Sequence, residues 1–231
     1  MKTVGVLGGL GPQATMDFEA RFHQAAQRLI PQLGNSGFPP MVVFYLRHPA
    51  VVMGADLKPV QPVQPDPRLL RAAEQLGALA DFLVITANAP HLFQDHIEQA
   101  SGKPVLSMIE VTLEEVQRRT FQTVGLLGFG EPVVYQVPLD RLGIPNRRLP
   151  AELRDRLDQA IWAVWEGRET AEDRDAAAQA VDYLRNQGAD ILILGCTEIP
   201  LLLGEQAEAP DLINPAQLLA EAAVRAAIQP A

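Results

Sequence analysis

The chain has 231 residues, 48% of them hydrophobic and 20% charged, enough for one large or two small soluble domains with sizeable cores. A net charge of −9 with no lysine- and arginine-rich stripe argues against nucleic acid, and one cysteine excludes an internal disulfide framework and multi-cysteine zinc or iron–sulfur sites. No apolar run approaches the roughly 20 residues of a membrane span, and no signal segment is read ahead of the first strand, so a cytoplasmic location and no membrane partner are expected.

Strands alternate with helices along the chain. Residues 4–7 form a short apolar run ending in Gly8-Gly9-Leu10-Gly11-Pro12, and a helical pattern follows to about residue 30. Residues 41–46 read as a second strand. Residues 58–67 are too rich in proline for a helix or a central strand and read as an extended loop. A helix over 68–80 places Leu69, Ala72, Ala73, Leu76 and Leu79 on one face. A buried strand at 82–85, a helix at 91–100 and a strand at 105–109 follow.

The second half repeats the first. Val4-Gly-Val-Leu-Gly8 resembles Val124-Gly-Leu-Leu-Gly128 at an offset of 120, and Ala80-Asp-Phe-Leu-Val-Ile-Thr-Ala87 resembles Ala189-Asp-Ile-Leu-Ile-Leu-Gly-Cys196 at an offset of 109. The proline-rich loop is the expected source of the 11-residue difference. The pattern predicts an α/β fold of two pseudosymmetric lobes, each a parallel sheet flanked by helices, with an active-site cleft between them. Residues 1–106 with 213–231 form the first lobe and 107–212 the second, the last helix, 215–228, returning to the first after a strand at 210–214.

In parallel sheets, ligands bind beyond the carboxyl ends of strands. Ala87, Asn88, Cys196 and Thr197 all fall there, and the repeat makes Ala87 the counterpart of Cys196. Gly9, Gly11 and Ala14 match a dinucleotide fingerprint, but the second strand ends in Arg47 and not in an acid. Carboxylate binding by N–H groups at Gly9, Leu10 and Gly11 is the better reading, against a plain tight turn. Cys196 is expected to open a helix whose N–H groups lower its pKa, with Thr197 and Glu198 tuning the thiol or merely capping. His91 is a proton relay or a locally satisfied histidine. Arg47 is a carboxylate partner or a surface arginine. No metal-ligand spacing links His23, His48, His91 and His96. Trp162 and Trp165 read as core or interface.

These residues resemble the aspartate/glutamate racemase family over nearly the whole chain. Gly8-Gly-Leu-Gly-Pro-x-Ala-Thr15 is similar to that family's Gly-Gly-Met-Gly-Pro-x-Ala-Thr, Gly195-Cys-Thr-Glu-Ile-Pro200 to its second cysteine motif, and Asn88-Ala-Pro-His91 to the Asn-Thr-x-His of its first. The resemblance implies a homodimer, no cofactor, and a small carboxylate substrate, an acidic amino acid such as aspartate or glutamate. It implies cysteine thiolate as the base at the α-carbon and reprotonation from the opposite face. It places the family's first cysteine at Ala87, its Gly-Thr at Gly130-Glu131, and an aspartate at Asn214. The catalytic set is then Cys196, position 87, Glu198 and His91. The substrate-binding set is Gly9, Leu10, Gly11, Arg47, Asn88, Ala89 and Thr197. Four readings stay open: a racemase or epimerase with Thr86, His91 or water as second base, a one-cysteine decarboxylase-like enzyme, a cysteine-to-alanine variant that traps a racemase substrate, and a non-catalytic dicarboxylate-binding protein.

Overall fold

The computed structural model describes residues 1–34, 36–55 and 59–229. They form two compact units, Met1–Met108 with the C-terminal segment from Ala216, and Ile109–Pro215.

The first unit carries β1 (Val4–Gly8), α1 (Pro12–Leu29), β2 (Met41–Tyr45), α2 (Pro67–Gly77), β3 (Phe82–Ile85), α3 (Gln94–Ser101) and β4 (Val105–Leu106). Its sheet is parallel in the order β2-β1-β3-β4. Alternation along β1 divides the unit into layers. Val4 and Val6 pack with Phe18 and Phe22 of α1, while Leu7 faces Leu69 and Leu76 of α2 and Ile97 of α3.

The second unit runs through α4 (Met108–Arg118), β5 (Val124–Leu127), α5 (Val133–Arg141), β6 (Asn146–Arg148), α6 (Ala151–Glu166), α7 (Ala171–Asn186), β7 (Ile191–Leu194), α8 (Ile199–Leu203) and β8 (Leu212–Ile213). Its parallel sheet has the matching order β6-β5-β7-β8. Leu127, Leu192 and Leu194 pack against Leu157 and Ile161 of α6 and Ala177 and Leu184 of α7. The last helix, α9 (Pro215–Ile228), belongs to the first unit. Leu219, Ala223 and Val224 join Phe18 and Phe22, and Arg28 pairs with Glu221 at 3.0 Å.

The two sheets share a detail beyond strand order. The Asp81 carboxylate accepts the Thr3 N–H at 2.6 Å, and Asp190 accepts those of Gln122 and Thr123 at 2.7 and 2.9 Å. In return the Asp81 and Asp190 N–H groups donate to the carbonyls of Thr3 and Thr123, both at 2.9 Å. The same Ala-Asp pair thus ties the foot of the third strand to the foot of the first in each unit.

Strand pairing relocates the length difference between the halves. Matching residues are offset by 120 at Val4 and Val124, by 105 at Met41 and Asn146, and by 109 at Phe82 and Ile191. The second unit is shorter between its first two strands, where α5 has 9 residues against the 18 of α1. It is slightly longer between the next two, where α6 and α7 stand for α2. The proline-rich stretch therefore does not account for the difference. Lys58 lies outside the described residues, Pro59 and Pro65 form isolated antiparallel bridges with Met53 and Val51, and Pro67 opens α2.

Other expectations shift locally. Residues 105–109 give two residues of strand, because helix α4 starts at Met108. The expected helix at 91–100 is a 3₁₀ turn over Ala89–Phe93 followed by α3. Helix α2 stops at Gly77, so Leu79 leaves its face and is exposed.

The start of α2 yields a stability test. Asp66 is its N-cap: Oδ1 accepts the Arg68 N–H at 2.8 Å, and Oδ2 pairs with the Arg68 guanidinium at 2.7 Å. Hydrogen bonding from Arg68 lowers the Asp66 pKa to about 2. Asp66→Ala should cost about 1 kcal/mol in denaturant unfolding at neutral pH, the usual worth of an N-cap. This stabilisation is present above the unfolded carboxyl pKa of about 3.9 and is lost as pH falls through the folded value, so variant and parent should converge in acid.

Candidate active site

All strands of a unit point the same way, so their carboxyl ends gather the loops that carry the candidate residues. In the second unit, the fully buried β7 ends at Leu194, and the Gly195 N–H continues the ladder to the Leu127 carbonyl at 2.8 Å. Cys196 follows, 8% exposed, packed in a cluster with Leu127, Leu194 and Ile199. Its Sγ–H donates to Glu198 Oε2 at 3.1 Å, and the Thr197 hydroxyl donates to the same oxygen at 3.1 Å. Glu198 is itself 2% exposed and makes no ion pair among the described residues.

This arrangement corrects the expected pKa. The helix after Cys196 begins only at Ile199 and is five residues long, so the thiol does not sit on a helix N-terminus. Burial and the neighbouring Glu198 carboxylate instead push the thiol well above its ordinary value. Glu198 stands at the N-cap of α8 but makes no cap hydrogen bond with its side chain. The resting group is a thiol hydrogen-bonded to a buried carboxylate. Iodoacetamide should therefore label Cys196 more slowly than a free thiol at neutral pH. The rate should still be climbing above pH ~8.5, where an ordinary thiol levels off; fast labelling at pH 7 would overturn this picture.

A second carboxylate, missed in the sequence, completes this end of the unit. Asp158 of α6 accepts the Gly130 N–H at 2.8 Å, and its charge contributes to raising the Cys196 pKa. Burial raises the pKa of Asp158 itself, against the lowering effect of that N–H. No motif marks it. Its only sequence signal is helical spacing, since residues 158, 162 and 165 share one face of α6. Glu131 turns to the surface, where it pairs with Arg148 at 2.9 Å and with Arg154.

In the first unit, the turn after β1 is held from within. The Gly9 N–H donates to Thr15 Oγ1 at 2.8 Å, and Thr15 Oγ1 lies 2.9 Å from Thr86 Oγ1. The Gly9 donor expected to hold a carboxylate is thus already used. Gly9 has φ +76°, and a Cβ there would stand 2.6 Å from the Tyr45 backbone. The glycine is required by the approach of β2, independently of any ligand. Leu10 packs onto the apolar cluster of α2 and α3, and Gly11 is the N-cap of α1 with Pro12 at its first turn.

Beyond β3, Ala87 is half-buried, Asn88 buried and Ala89 exposed. His91 does not serve as a relay in this geometry. The Met108 N–H donates to Nε2 at 3.1 Å, which puts the ring proton on Nδ1, where it faces the carbonyls of Ala87 and Asn88 at 3.0 and 3.1 Å. Burial lowers its pKa to about 4. Both ring nitrogens are occupied by backbone and the ring stays neutral, so His91 fixes the loop that carries Ala87.

Arg47 follows β2, which ends at Tyr45. Its guanidinium sits 4.8 Å from the Tyr45 ring centroid. It borders a cleft of about 340 Å³, lined also by His48, Arg68 and Arg71 over Phe44 and Ala72. Arg68 is engaged by Asp66 and His48, whereas Arg47 and Arg71 make no ion pair among the described residues.

A family model described as Asp/Glu/Hydantoin racemase matches residues 7–223. The broad-specificity amino-acid racemase RacX of Bacillus subtilis is 25% identical over 226 residues, 96% of either chain. Among solved structures, the aspartate racemase of Picrophilus torridus superposes with a TM-score of 0.78 at 19% identity, covering 98% of this chain and 94% of that one. An aspartate racemase homologue from Pyrococcus horikoshii gives 0.73 at 21% identity, covering 99% and 100%. At these identities the structures establish the shared two-lobed α/β fold. No helix among the described residues is long and apolar enough to cross a membrane.

Proposed function

Because the chain belongs to the Asp/Glu/hydantoin racemase family, we propose that it catalyses cofactor-independent proton transfer at the α-carbon of an amino acid, with Cys196 and Glu198 as the acid/base pair. The observation that carries this reading is the buried Sγ–H···Oε2 hydrogen bond of 3.1 Å. An amino acid is favoured over a hydantoin because the Bacillus relative, aligned almost end to end, is named for broad amino-acid specificity.

The pair divides the work. Glu198 accepts the thiol proton, and the thiolate so formed takes the α-proton. The electron pair of the broken C–H bond is delocalised into the substrate carboxylate, giving a planar intermediate. Sγ–H then returns a proton to carbon, and Glu198 reprotonates sulfur. Each unit by which burial raises the thiol pKa costs about 1.4 kcal/mol to form the thiolate, but the same rise makes that thiolate a stronger base toward carbon. Asn88, Thr197 and the N–H groups of Leu10 and Gly11 are proposed to orient the substrate, with Arg47 as a carboxylate partner.

The test is proton NMR in deuterated water. Each enantiomer of an amino-acid panel beginning with aspartate and glutamate is followed for loss of the α-hydrogen signal. Exchange of at least one amino acid is expected, and none across the panel with folded protein would sink the reading. A second reading is favoured by the protonated state of Cys196. A resting thiol is a ready donor to a carbanion left by decarboxylation, so carbon dioxide release from a substituted malonate would move the decarboxylase reading ahead.

A further inference from the structure

The surroundings of Cys196 within the second unit speak to the substrate's side chain. Leu127 pairs with Leu194 in the sheet, so Phe129 and Cys196 each stand two residues beyond paired strand ends. Phe129 is 42% exposed and meets Trp165 at 4.9 Å between ring centroids, and Trp162 meets Trp165 at 5.5 Å. Both tryptophans lie on the face of α6 that bears Asp158, whose carboxylate binds the N–H of Gly130, the residue after Phe129. Trp165 also packs on the apolar cluster that contains Cys196, and its indole N–H is buried without a partner among the described residues.

The charges acting on the Cys196 thiol have one sign. They are the Glu198 and Asp158 carboxylates, and of the arginines on and just beyond α6, Arg154 pairs with Glu131, Arg156 donates to Gln179 and Arg168 pairs with Glu166. A carboxylate side chain brought here would meet two like charges, whereas an apolar ring would meet aromatic surface. An ammonium group, by contrast, would offset the two acids.

We infer that the strand-end wall formed by Phe129, Trp162 and Trp165 receives an apolar, preferentially aromatic, substrate side chain, so that the chain acts on aromatic and large apolar amino acids in preference to acidic ones. This rests on the proton-transfer reading of Cys196, but binding and chemistry can be read separately.

Indole fluorescence reports on this wall directly, because Trp162 and Trp165 are the two tryptophans of the chain. The protein is titrated with phenylalanine, leucine, aspartate and glutamate, with excitation at the red edge of indole absorption, and the same four are assayed for α-proton exchange. Phenylalanine should half-saturate the signal at a concentration roughly tenfold or more below aspartate, the discrimination a shaped apolar pocket gives. Phe129→Ala, on an exposed loop, should weaken phenylalanine several-fold and leave aspartate unchanged. Trp165→Lys should shift the preference toward the acids. Aspartate or glutamate binding as tightly as phenylalanine, no binding by any of the four, or indifference of phenylalanine to Phe129→Ala overturns the inference. Binding in the expected order without exchange supports the side-chain assignment and removes the proton-transfer reading. Exchange confined to the acidic amino acids does the reverse.

Discussion

Glu198→Gln is expected to slow α-proton exchange by about 10²–10⁴-fold, the usual worth of a general acid–base group, while making Cys196 easier to alkylate. The two effects have one origin. In the parent the Glu198 carboxylate accepts the thiol proton and, as a buried charge beside sulfur, holds the thiol pKa up. An amide is almost isosteric and still offers an oxygen to the Sγ–H and to the Thr197 hydroxyl, but it can neither take a proton nor repel a thiolate. The thiol pKa should fall toward its ordinary value, so the iodoacetamide rate at neutral pH rises as the exchange rate drops. Loosened packing at the strand end would also speed labelling, because burial is the larger cause of the raised thiol pKa, so the variant's circular dichroism and melting must stay unchanged for the two effects to be assigned to the carboxylate. Cys196→Ala in parallel should abolish exchange and labelling alike, with unchanged circular dichroism and melting. If Glu198→Gln retains full exchange, Cys196 has another proton acceptor, and Asp158 is the next residue to change.

The fold was readable in the sequence where burial is two-sided, and poorly readable elsewhere. Strands β1, β3, β5 and β7 are apolar runs with glycine or polar loops behind them, and all four are buried throughout. Strand β6 is Asn146-Arg147-Arg148 on a sheet edge, partly or fully exposed, so it carries no hydrophobic signature and reads as a solvated charge pair. The site divides in the same way. Cys196, Asn88 and the glycine turn fall at strand ends that the repeat marks. Their chemistry did not follow from position, because a pKa depends on which partners arrive in space. Helix α8 starts three residues after the cysteine and not at it, and this reversed the expected direction of the thiol shift. Asp158 was illegible for a related reason. It sits in a run of charged residues on α6, and only the folded loop from β5 brings the Gly130 N–H to it. Thr15 belonged to the quoted motif, yet its task of holding Gly9 and Thr86 requires two loops to meet.

The remaining large effect concerns Ala87, the counterpart of Cys196 in the repeat. Alanine there provides no proton donor or acceptor, and His91, four residues on, has both ring nitrogens committed to backbone. Thr86, the other candidate second base, lies 2.9 Å from the Thr15 hydroxyl in a buried cluster that holds the glycine turn. With one acid/base pair, the parent should exchange the α-hydrogen of one enantiomer with retention and interconvert enantiomers slowly or not at all, since the same sulfur removes and returns the proton. Ala87→Cys adds one heavy atom, the sulfur, at a half-buried position in a loop that His91 already fixes. The variant should gain enantiomer interconversion by about 10²–10⁴-fold, the contribution of one added general acid–base group, measured by chiral chromatography on the amino acid that the parent exchanges best. Cys196→Ala in the Ala87→Cys background should remove that gain, because a thiol on one side alone cannot invert the carbon. Rapid interconversion by the parent would instead assign the second face to another group, and Thr86→Val would then be the variant that separates a hydroxyl base from bound water.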